Sequence, residues 1–216
     1  MNNKKISLQD AISLVKDGMT VMVGGFLANG GANTIMDALA ESGVKNLNLI
    51  CNDTAFPDKG QGKLIACKMV KKVVTSHIGT NPATIDQMNA GEIIVEFCPQ
   101  GSLAERIRAY GAGLGGVLTS TGLGTVVAEG KQVINVDGKD FLLEKPLKAD
   151  IAFIGATKCD NAGNLYYAGN SRNFNPLMAM AADVVVVEAE ELVETGSIKP
   201  EDVHTPGIFI DYIYTK

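Results

Sequence analysis

Apolar positions along the chain switch repeatedly between a helical and an extended period. In residues 7–16, Leu8, Ile12 and Val15 recur at helical spacing, and Asp17-Gly18 closes the segment. Val21, Met22 and Val23 form the short unbroken apolar run of a buried strand. Gly24-Gly25 and Asn29-Gly30-Gly31 follow, and Thr34 with Asp37 three residues on has the form of a capping box opening a helix that ends near Ser42-Gly43. The alternation continues as a strand at 47–51, a polar loop at 53–63, a short helix at 64–68 and a strand at 73–75. A helix begun by Pro82 at 82–88, a strand at 93–97 and a helix at 102–110 come next. After a glycine-rich loop at 111–124, Asp137-Gly138 between two apolar runs predicts a hairpin. Strands at 151–154 and 184–188 flank a helix at 175–181, and the alternating tail at 208–214 reads as a last strand or a segment lying on a partner. Strands alternating with helices predict an α/β fold, an open and mostly parallel sheet with helices on both faces, in a single domain over 1–216.

Composition narrows the function classes. A formal charge of −5, with no basic block beyond Lys4-Lys5 and Lys71-Lys72, excludes a nucleic-acid footprint or a polybasic membrane patch. A polyanionic ligand must therefore be held locally. The first residues have charges but no continuous apolar core, and no run of 18 uncharged apolar residues exists to span a bilayer, so a cytoplasmic protein is expected. Cys51, Cys67, Cys98 and Cys159 are scattered without a C-x-x-C, and only His77 and His204 could join them, so neither a metal site nor a disulfide framework is expected.

Three familiar motifs fail on context. Gly111, Gly113 and Gly116 satisfy G-x-G-x-x-G, but a helix precedes them where a dinucleotide site needs a strand. The 124–131 stretch has one residue too many between its glycines for a phosphate loop, and Gln132 stands where Ser or Thr should hold magnesium. Gly169-Asn170-Ser171 lacks the final glycine of a hydrolase elbow.

The stretch that remains is Gly24, Gly25, Phe26, Leu27, Ala28, Asn29 and Gly30, between a strand and a helix. Its backbone N–H groups can approach a phosphate, a carboxylate or a developing oxyanion; equally, its shape is that of a tight crossover. Asp17-Gly18, the apolar triplet and Gly24-Gly25-Phe26 with Gly30 resemble the amino-terminal signature of the family I coenzyme A transferases, in the subunit called A or alpha. Further matches run in order down nearly the whole chain: Ser76 to Asn81, Pro99-Gln100-Gly101, Gly111 to Gly116, and Ser171-Arg172-Asn173-Phe174-Asn175-Pro176. One departure is Ala32, where the family usually has a proline; the loss of a fixed φ loosens the start of the helix.

The resemblance implies a Rossmann-like fold of the CoA-transferase type and one subunit of a hetero-oligomer, with α2β2 the expected assembly. It implies transfer of CoA between an acyl-CoA and a short carboxylate such as acetate, butyrate or acetoacetate, with no metal and no permanently bound cofactor, CoA being a substrate. The family works by a ping-pong mechanism through a glutamate that its other chain, the beta subunit, carries in a Glu-Asn-Gly type motif; this chain has no such motif. Glu96, Glu129, Glu144, Glu188 and Glu194 read as solvated or helix-end charges. The residues expected at the site are the 24–30 turn, for CoA or oxyanion contact, and Gln100, His77 and Asn81, at strand ends, for placing the substrate. Gln100 has the alternative of a turn residue bonding its own backbone, and Arg172 fits either an anion contact or a subunit interface. Two other readings share the scaffold: a transferase for 3-oxoadipate, succinate or glutaconate, and a phosphosugar-binding module that acts without a partner.

Overall fold

The computed structural model describes residues 4–216. The first half runs α1 (Leu8–Ser13), β1 (Thr20–Val23), α2 (Asn33–Ala40), β2 (Leu47–Cys51), α3 (Gly62–Ala66), β3 (Val70–Thr75), α4 (Pro82–Asn89), β4 (Ile94–Phe97) and α5 (Gln100–Gly111). An insertion follows with β5 (Val117–Thr119), β6 (Val133–Val136) and β7 (Lys139–Glu144). The chain then returns through β8 (Ala149–Asp160), β9 (Leu165–Tyr166), α6 (Asn175–Met178), β10 (Ala182–Val193) and β11 (Tyr212–Thr215).

The main sheet has the order β11-β10-β8-β1-β2-β3-β4 and is parallel throughout, with β9 antiparallel on β8. From β1 the chain steps outward to β4, then comes back to the other flank of β1 and steps outward again. The order therefore reverses between β1 and β8, and the crevice at their carboxyl ends is where open α/β sheets bind ligands. Both faces are covered, as the apolar runs require. Val21 and Val23 pack with α1, α2 and α3 residues such as Ala11, Ile35 and Leu64, whereas Met22, pointing the other way through the pleat, joins Leu103, Ile107 and Met178 of α5 and α6.

Several elements differ from the sequence pattern. The strands read at 151–154 and 184–188 are the apolar middles of two twelve-residue strands, paired in register from Ala149↔Ala182 to Asp160↔Val193. Ladder hydrogen bonds carry them through polar positions that periodicity cannot assign. The tail is a strand of this chain's own sheet, with Tyr212 opposite Val186. The glycine-rich loop contains β5, and the 175–181 helix shrinks to four residues.

The expected capping box at Thr34 and Asp37 does not form. Ala32 is the N-cap, without a side-chain cap, and Asp37 pairs instead with Lys63 at 2.7 Å. The cap comes from β10, where the Glu188 carboxylate accepts Thr34 N–H at 3.1 Å, Thr34 Oγ1–H at 2.6 Å and Ile35 N–H at 2.9 Å. This bidentate clamp restrains the start of the helix that Ala32 leaves without a proline. A capping box does open α1, where Ser7 and Asp10 bond each other's backbone.

The insertion forms a three-stranded antiparallel sheet, β5-β7-β6, and Asp137 (φ 50°) with Gly138 (φ 80°) makes the tight turn that Asp-Gly predicts. A buried ion cluster ties it to the main body. Arg106 of α5 donates to Glu96 at 2.8 Å and to Lys145 O at 2.9 Å, with Glu144 3.7 Å away; Lys131 meets the same Glu144 at 2.6 Å. Burial opposes the charge on Glu96, but Lys72 and Arg106 outweigh it and hold the carboxyl below its ordinary range. Among the described residues no helix is long and apolar enough to cross a membrane, and no three His, Cys, Asp or Glu side chains are grouped to hold a metal ion.

Candidate functional site

β1 delivers the glycine turn to the switch point. Gly24 N–H still donates to Phe153 O of β8 at 2.9 Å, after which Phe26 and Asn29 exchange both backbone hydrogen bonds, at 3.0 and 2.9 Å, across a two-residue reversal. Leu27 (φ 49°) and Ala28 (φ 67°) form its tip. Left-handed backbone costs a non-glycine residue about 1–2 kcal/mol, so the turn must be held from outside.

It is held from both sides. On the β2 side, Asp53 Oδ2 accepts Leu27 N–H at 2.9 Å. On the β8 side, Asn173 Oδ1 accepts Gly25 N–H at 3.0 Å while its Nδ2 donates to Asn29 O at 3.2 Å. Asn175 Nδ2 donates to Gly30 O and to Ser171 O, each at 2.8 Å, and its Oδ1 accepts Gly155 N–H at 3.2 Å. The approach is close enough that a β-carbon at Gly24 would overlap Asn175 Oδ1, and one at Gly30 would lie 2.6 Å from Ser171 O. Seven described non-glycine residues have positive φ, and four of them, Leu27, Ala28, Ala55 and Asn173, belong to this assembly. Strain concentrated in this way marks a place whose shape is over-determined by its surroundings.

Gln100 belongs to the same assembly. It opens α5, and its Nε2 donates to Asn52 Oδ1 at 2.7 Å; Asn52 Nδ2 donates to Asp53 Oδ2 at 2.7 Å, the oxygen that also receives Leu27 N–H. A continuous relay thus runs from the carboxyl end of β4 across β2 to the tip of the glycine turn. Gln100 remains exposed while Asn52 and Asp53 are buried, so the amide reaches the surface from a fixed base.

The other expected residues divide. His77 is exposed at the end of β3; its carbonyl accepts Thr54 N–H at 3.1 Å and its ring lies over Gly79. Asn81 has no solvent access, and its Nδ2 donates to Thr54 O at 2.7 Å, so it supports the 53–63 loop from below. The donor array of the turn is also smaller than its glycines suggest. The N–H groups of Phe26 and Asn29 are spent within the turn and those of Gly24, Gly25 and Leu27 on Phe153, Asn173 and Asp53, and those of Ala28 and Gly30 are the two without an acceptor among the described residues. The side-chain amide of Asn29 donates to Asn170 at 2.8 Å.

Arg172 is exposed next to Ser171 and close to His204, whose ring stacks on Tyr166 and Tyr167 at 5.0 and 5.9 Å. Burial, followed by the Arg172 cation, holds His204 below the ordinary histidine range, and its Nδ1 accepts Tyr167 N–H at 3.1 Å. The residues that sequence reasoning did not single out are Asn52, Asp53 and Gly155, and it gave no such role to Asn173, Asn175 or Glu188. The only local signal for the first pair is a polar dipeptide directly after an apolar strand; the role of Glu188, in a run of valines, has none.

Of the acids weighed as nucleophiles, none stands free at the turn. Glu188 caps α2, Glu96 and Glu144 are in the ion cluster, Glu129 is exposed on the insertion, and Glu194 accepts Asn161 Nδ2 at 3.2 Å beyond β10. Cys51, Cys98 and Cys159 are buried, which pushes the Cys159 thiol up to about 12, and Cys67 is exposed.

The family model described as Coenzyme A transferase matches residues 5–216. The acetate CoA-transferase subunit alpha of Escherichia coli (strain K12) is 56% identical over 213 residues, covering 99% of this chain and 97% of that one. The acetoacetyl-CoA:acetate/butyrate CoA transferase alpha subunit of Clostridium acetobutylicum is 50% identical, with 99% and 98% covered. Among solved structures, an acyl-CoA transferase from Escherichia coli O157:H7, in a thioester complex with CoA, superposes with a TM-score of 0.89 at 25% identity. That match covers 99% of this chain and 47% of the solved one, so the chain spans about half of that enzyme. Glutaconate coenzyme A-transferase from Acidaminococcus fermentans shares the fold with a TM-score of 0.86 at 20% identity. With the switch-point turn, its two-sided clamp and a family match from residue 5 to residue 216, this chain belongs to the coenzyme A transferase family.

Proposed function

We propose that this chain is the alpha subunit of a cytoplasmic CoA-transferase that moves CoA between an acyl-CoA and a short carboxylate, acetate, butyrate or acetoacetate, and that it supplies half of a shared active site in an α2β2 assembly. The observation that carries the reading is the relay from Gln100 through Asn52 and Asp53 to Leu27, which fixes an exposed amide relative to the glycine turn while leaving no free carboxylate within that assembly. Near-complete coverage of two relatives named as alpha subunits supports it.

In this reading a glutamate of the partner chain attacks the thioester carbonyl carbon. The C–S bond breaks, giving an acyl-glutamyl anhydride and CoA thiolate. The thiolate then attacks the glutamyl carbonyl, releasing the first carboxylate and leaving a glutamyl-CoA thioester, and the second carboxylate reverses both steps. This chain's part is to place the reactants. Ala28 N–H and Gly30 N–H are the turn's remaining donors for a thioester or amide carbonyl, and a preorganised donor of this kind is worth about 3 kcal/mol where charge develops. The Gln100 amide is placed for a substrate carboxylate. The phosphosugar-binding alternative is disfavoured because the α2 N-terminus, the natural phosphate site beside such a turn, already holds the Glu188 carboxylate.

The test is CoA transfer from acetoacetyl-CoA to acetate by the purified chain, alone and with a candidate partner chain. Activity that appears only with the partner supports a nucleophile in trans. Full turnover by the lone chain would refute it and make Glu190, exposed on the cleft wall, the first acid to replace.

A further inference from the structure

On the basis of the proposed function, we infer that His204 is a positioning residue: its neutral ring anchors the 167–173 segment that braces the glycine turn, and uptake of a proton releases that segment. His204 is half-buried in the stretch between β10 and β11 and packs on β9, its ring stacked on Tyr166 and Tyr167. Its backbone N–H donates to Leu165 O at 2.8 Å, and Leu165 N–H donates to Thr205 O at 2.9 Å, so β9 is tied to residues 204–205 as well as to β8. The Tyr167 hydroxyl shares a hydrogen bond of 2.9 Å with Thr205 Oγ1. The bond that matters most is Tyr167 N–H to His204 Nδ1, at 3.1 Å. Only an unprotonated ring nitrogen can accept it, so the neutral ring carries its one proton on Nε2.

From Tyr167 the chain runs directly into the brace. Ala168 N–H donates to Thr157 Oγ1 at 2.9 Å, and Ala168 O accepts Ser171 N–H at 3.2 Å and Ser171 Oγ–H at 2.6 Å. Ser171 O in turn accepts Asn173 Nδ2 at 3.1 Å and Asn175 Nδ2 at 2.8 Å, and these two amides hold Gly25, Asn29 and Gly30 of the turn. Asn173 is left-handed, with φ 23°, a conformation that lasts only while its surroundings enforce it. A proton on His204 Nδ1 points at the Tyr167 N–H; the bond is lost, and the ring has to turn away from the strand it anchors. Of the charged groups around the ring, Arg172, within the braced segment, opposes a second positive charge more strongly than Asp202 favours it, and burial acts with Arg172. The Tyr166 and Tyr167 phenols complete the surroundings, burial pushing that of Tyr167 up, while Lys158, across the β8–β9 register from Tyr166, is paired with Glu191 at 2.9 Å. Protonation thus sets two cations, His204 and Arg172, at the root of one short segment.

The experiment follows kcat/KM for transfer from acetoacetyl-CoA to acetate by the two-subunit enzyme between about pH 5.5 and about pH 8, the range in which a histidine titrates. Wild type is compared with His204→Asn, whose Oδ1 can stand where Nδ1 does and takes up no proton, and with His204→Phe, which has no acceptor; melting temperatures check folding. Below about pH 6 wild type should lose about fivefold or more relative to His204→Asn, the scale of one hydrogen bond, while near pH 8 the two agree within about twofold. His204→Phe should be low by a similar factor at every pH, with reduced amide-exchange protection at Gly25 and Leu27. A ratio of wild type to His204→Asn that stays flat across the range would overturn the inference, and so would a folded His204→Phe enzyme at the wild-type level near pH 8. If the Phe variant does not fold, the comparison with His204→Asn decides alone. Failure of the wild-type pair to transfer CoA at any pH sinks the proposed function instead; the protection factors of Gly25 and Leu27 against pH, in wild type and His204→Asn, then still test His204.

Discussion

Asp53→Asn tests whether the glycine turn is held by the relay. The substitution keeps the shape of the side chain and replaces one carboxylate oxygen by an NH2 group. In the native protein Oδ2 accepts Leu27 N–H at 2.9 Å and Asn52 Nδ2 at 2.7 Å, while Oδ1 accepts Ala55 N–H at 2.8 Å and lies 3.5 Å from Gln61 Nε2. Every orientation of the new amide therefore points a donor at a donor. The less costly choice turns NH2 toward Ala55, because Gln61 keeps its stronger bond to Asp53 O at 2.7 Å. That leaves a buried N–H unsatisfied, at about 1–3 kcal/mol, and weakens the charge-assisted bonds to Leu27 and Asn52 by about another 1 kcal/mol. Asp53 is 1% exposed, so water cannot replace the lost partner. A total of about 2–4 kcal/mol corresponds to a fall in melting temperature of roughly 4–16 °C for a chain of this size. Calorimetry measures it, and amide hydrogen exchange at Leu27 and Ala55 locates it, since both residues are left-handed and should relax when released. A fall of less than about 2 °C, with both amides still protected, would refute the view that Asp53 holds the turn.

Three further outcomes are expected. Gly155→Ala places a β-carbon on Gly30 O and should displace the turn, cutting transfer by more than about tenfold in the assembled enzyme; Gly138→Ala, at a left-handed position with open space around it, should cost only about 1 kcal/mol and leave transfer unchanged. Glu144→Gln, which leaves Lys131 and Arg106 facing an uncharged group at a site 1% exposed, should destabilise by about 3–5 kcal/mol in urea titrations and release the insertion first, visible as early loss of exchange protection in β7. Because the folded pKa of His204 lies below its unfolded value, the folded chain binds that proton less readily; stability should rise with pH through the window ending near 6.5 and level off above it, and His204→Phe should flatten the slope of urea midpoints across that window.

Periodicity and turn chemistry carried the local structure, because a buried strand, a helix face and an Asp-Gly hairpin each leave their signal in adjacent residues. The run at 21–23, the helix begun by Pro82 and the turn at Asp137-Gly138 are of this kind. The Thr34–Asp37 capping box had the right residues at the right spacing and still did not form, since a carboxylate 154 positions away along the chain offered the helix two oxygens at once. Asn81 reads locally as a polar residue at a strand end, and only the fold shows that it is fully buried beneath the 53–63 loop.

The sequence by itself thus determined the α/β alternation, the glycine turn at the end of the first strand and, through motifs spread along the chain, the family. Tertiary structure alone decided what that turn does with its donors. Five of its seven N–H groups are consumed in holding a left-handed reversal and its link to β8, and the groups that accept or brace them, Asp53, Phe153, Asn173 and Asn175, arrive from the loop after β2, from β8, from the segment before α6 and from the start of α6. The physical reason is that a buried polar group must find a partner wherever the fold brings one, and distance along the chain does not enter that requirement.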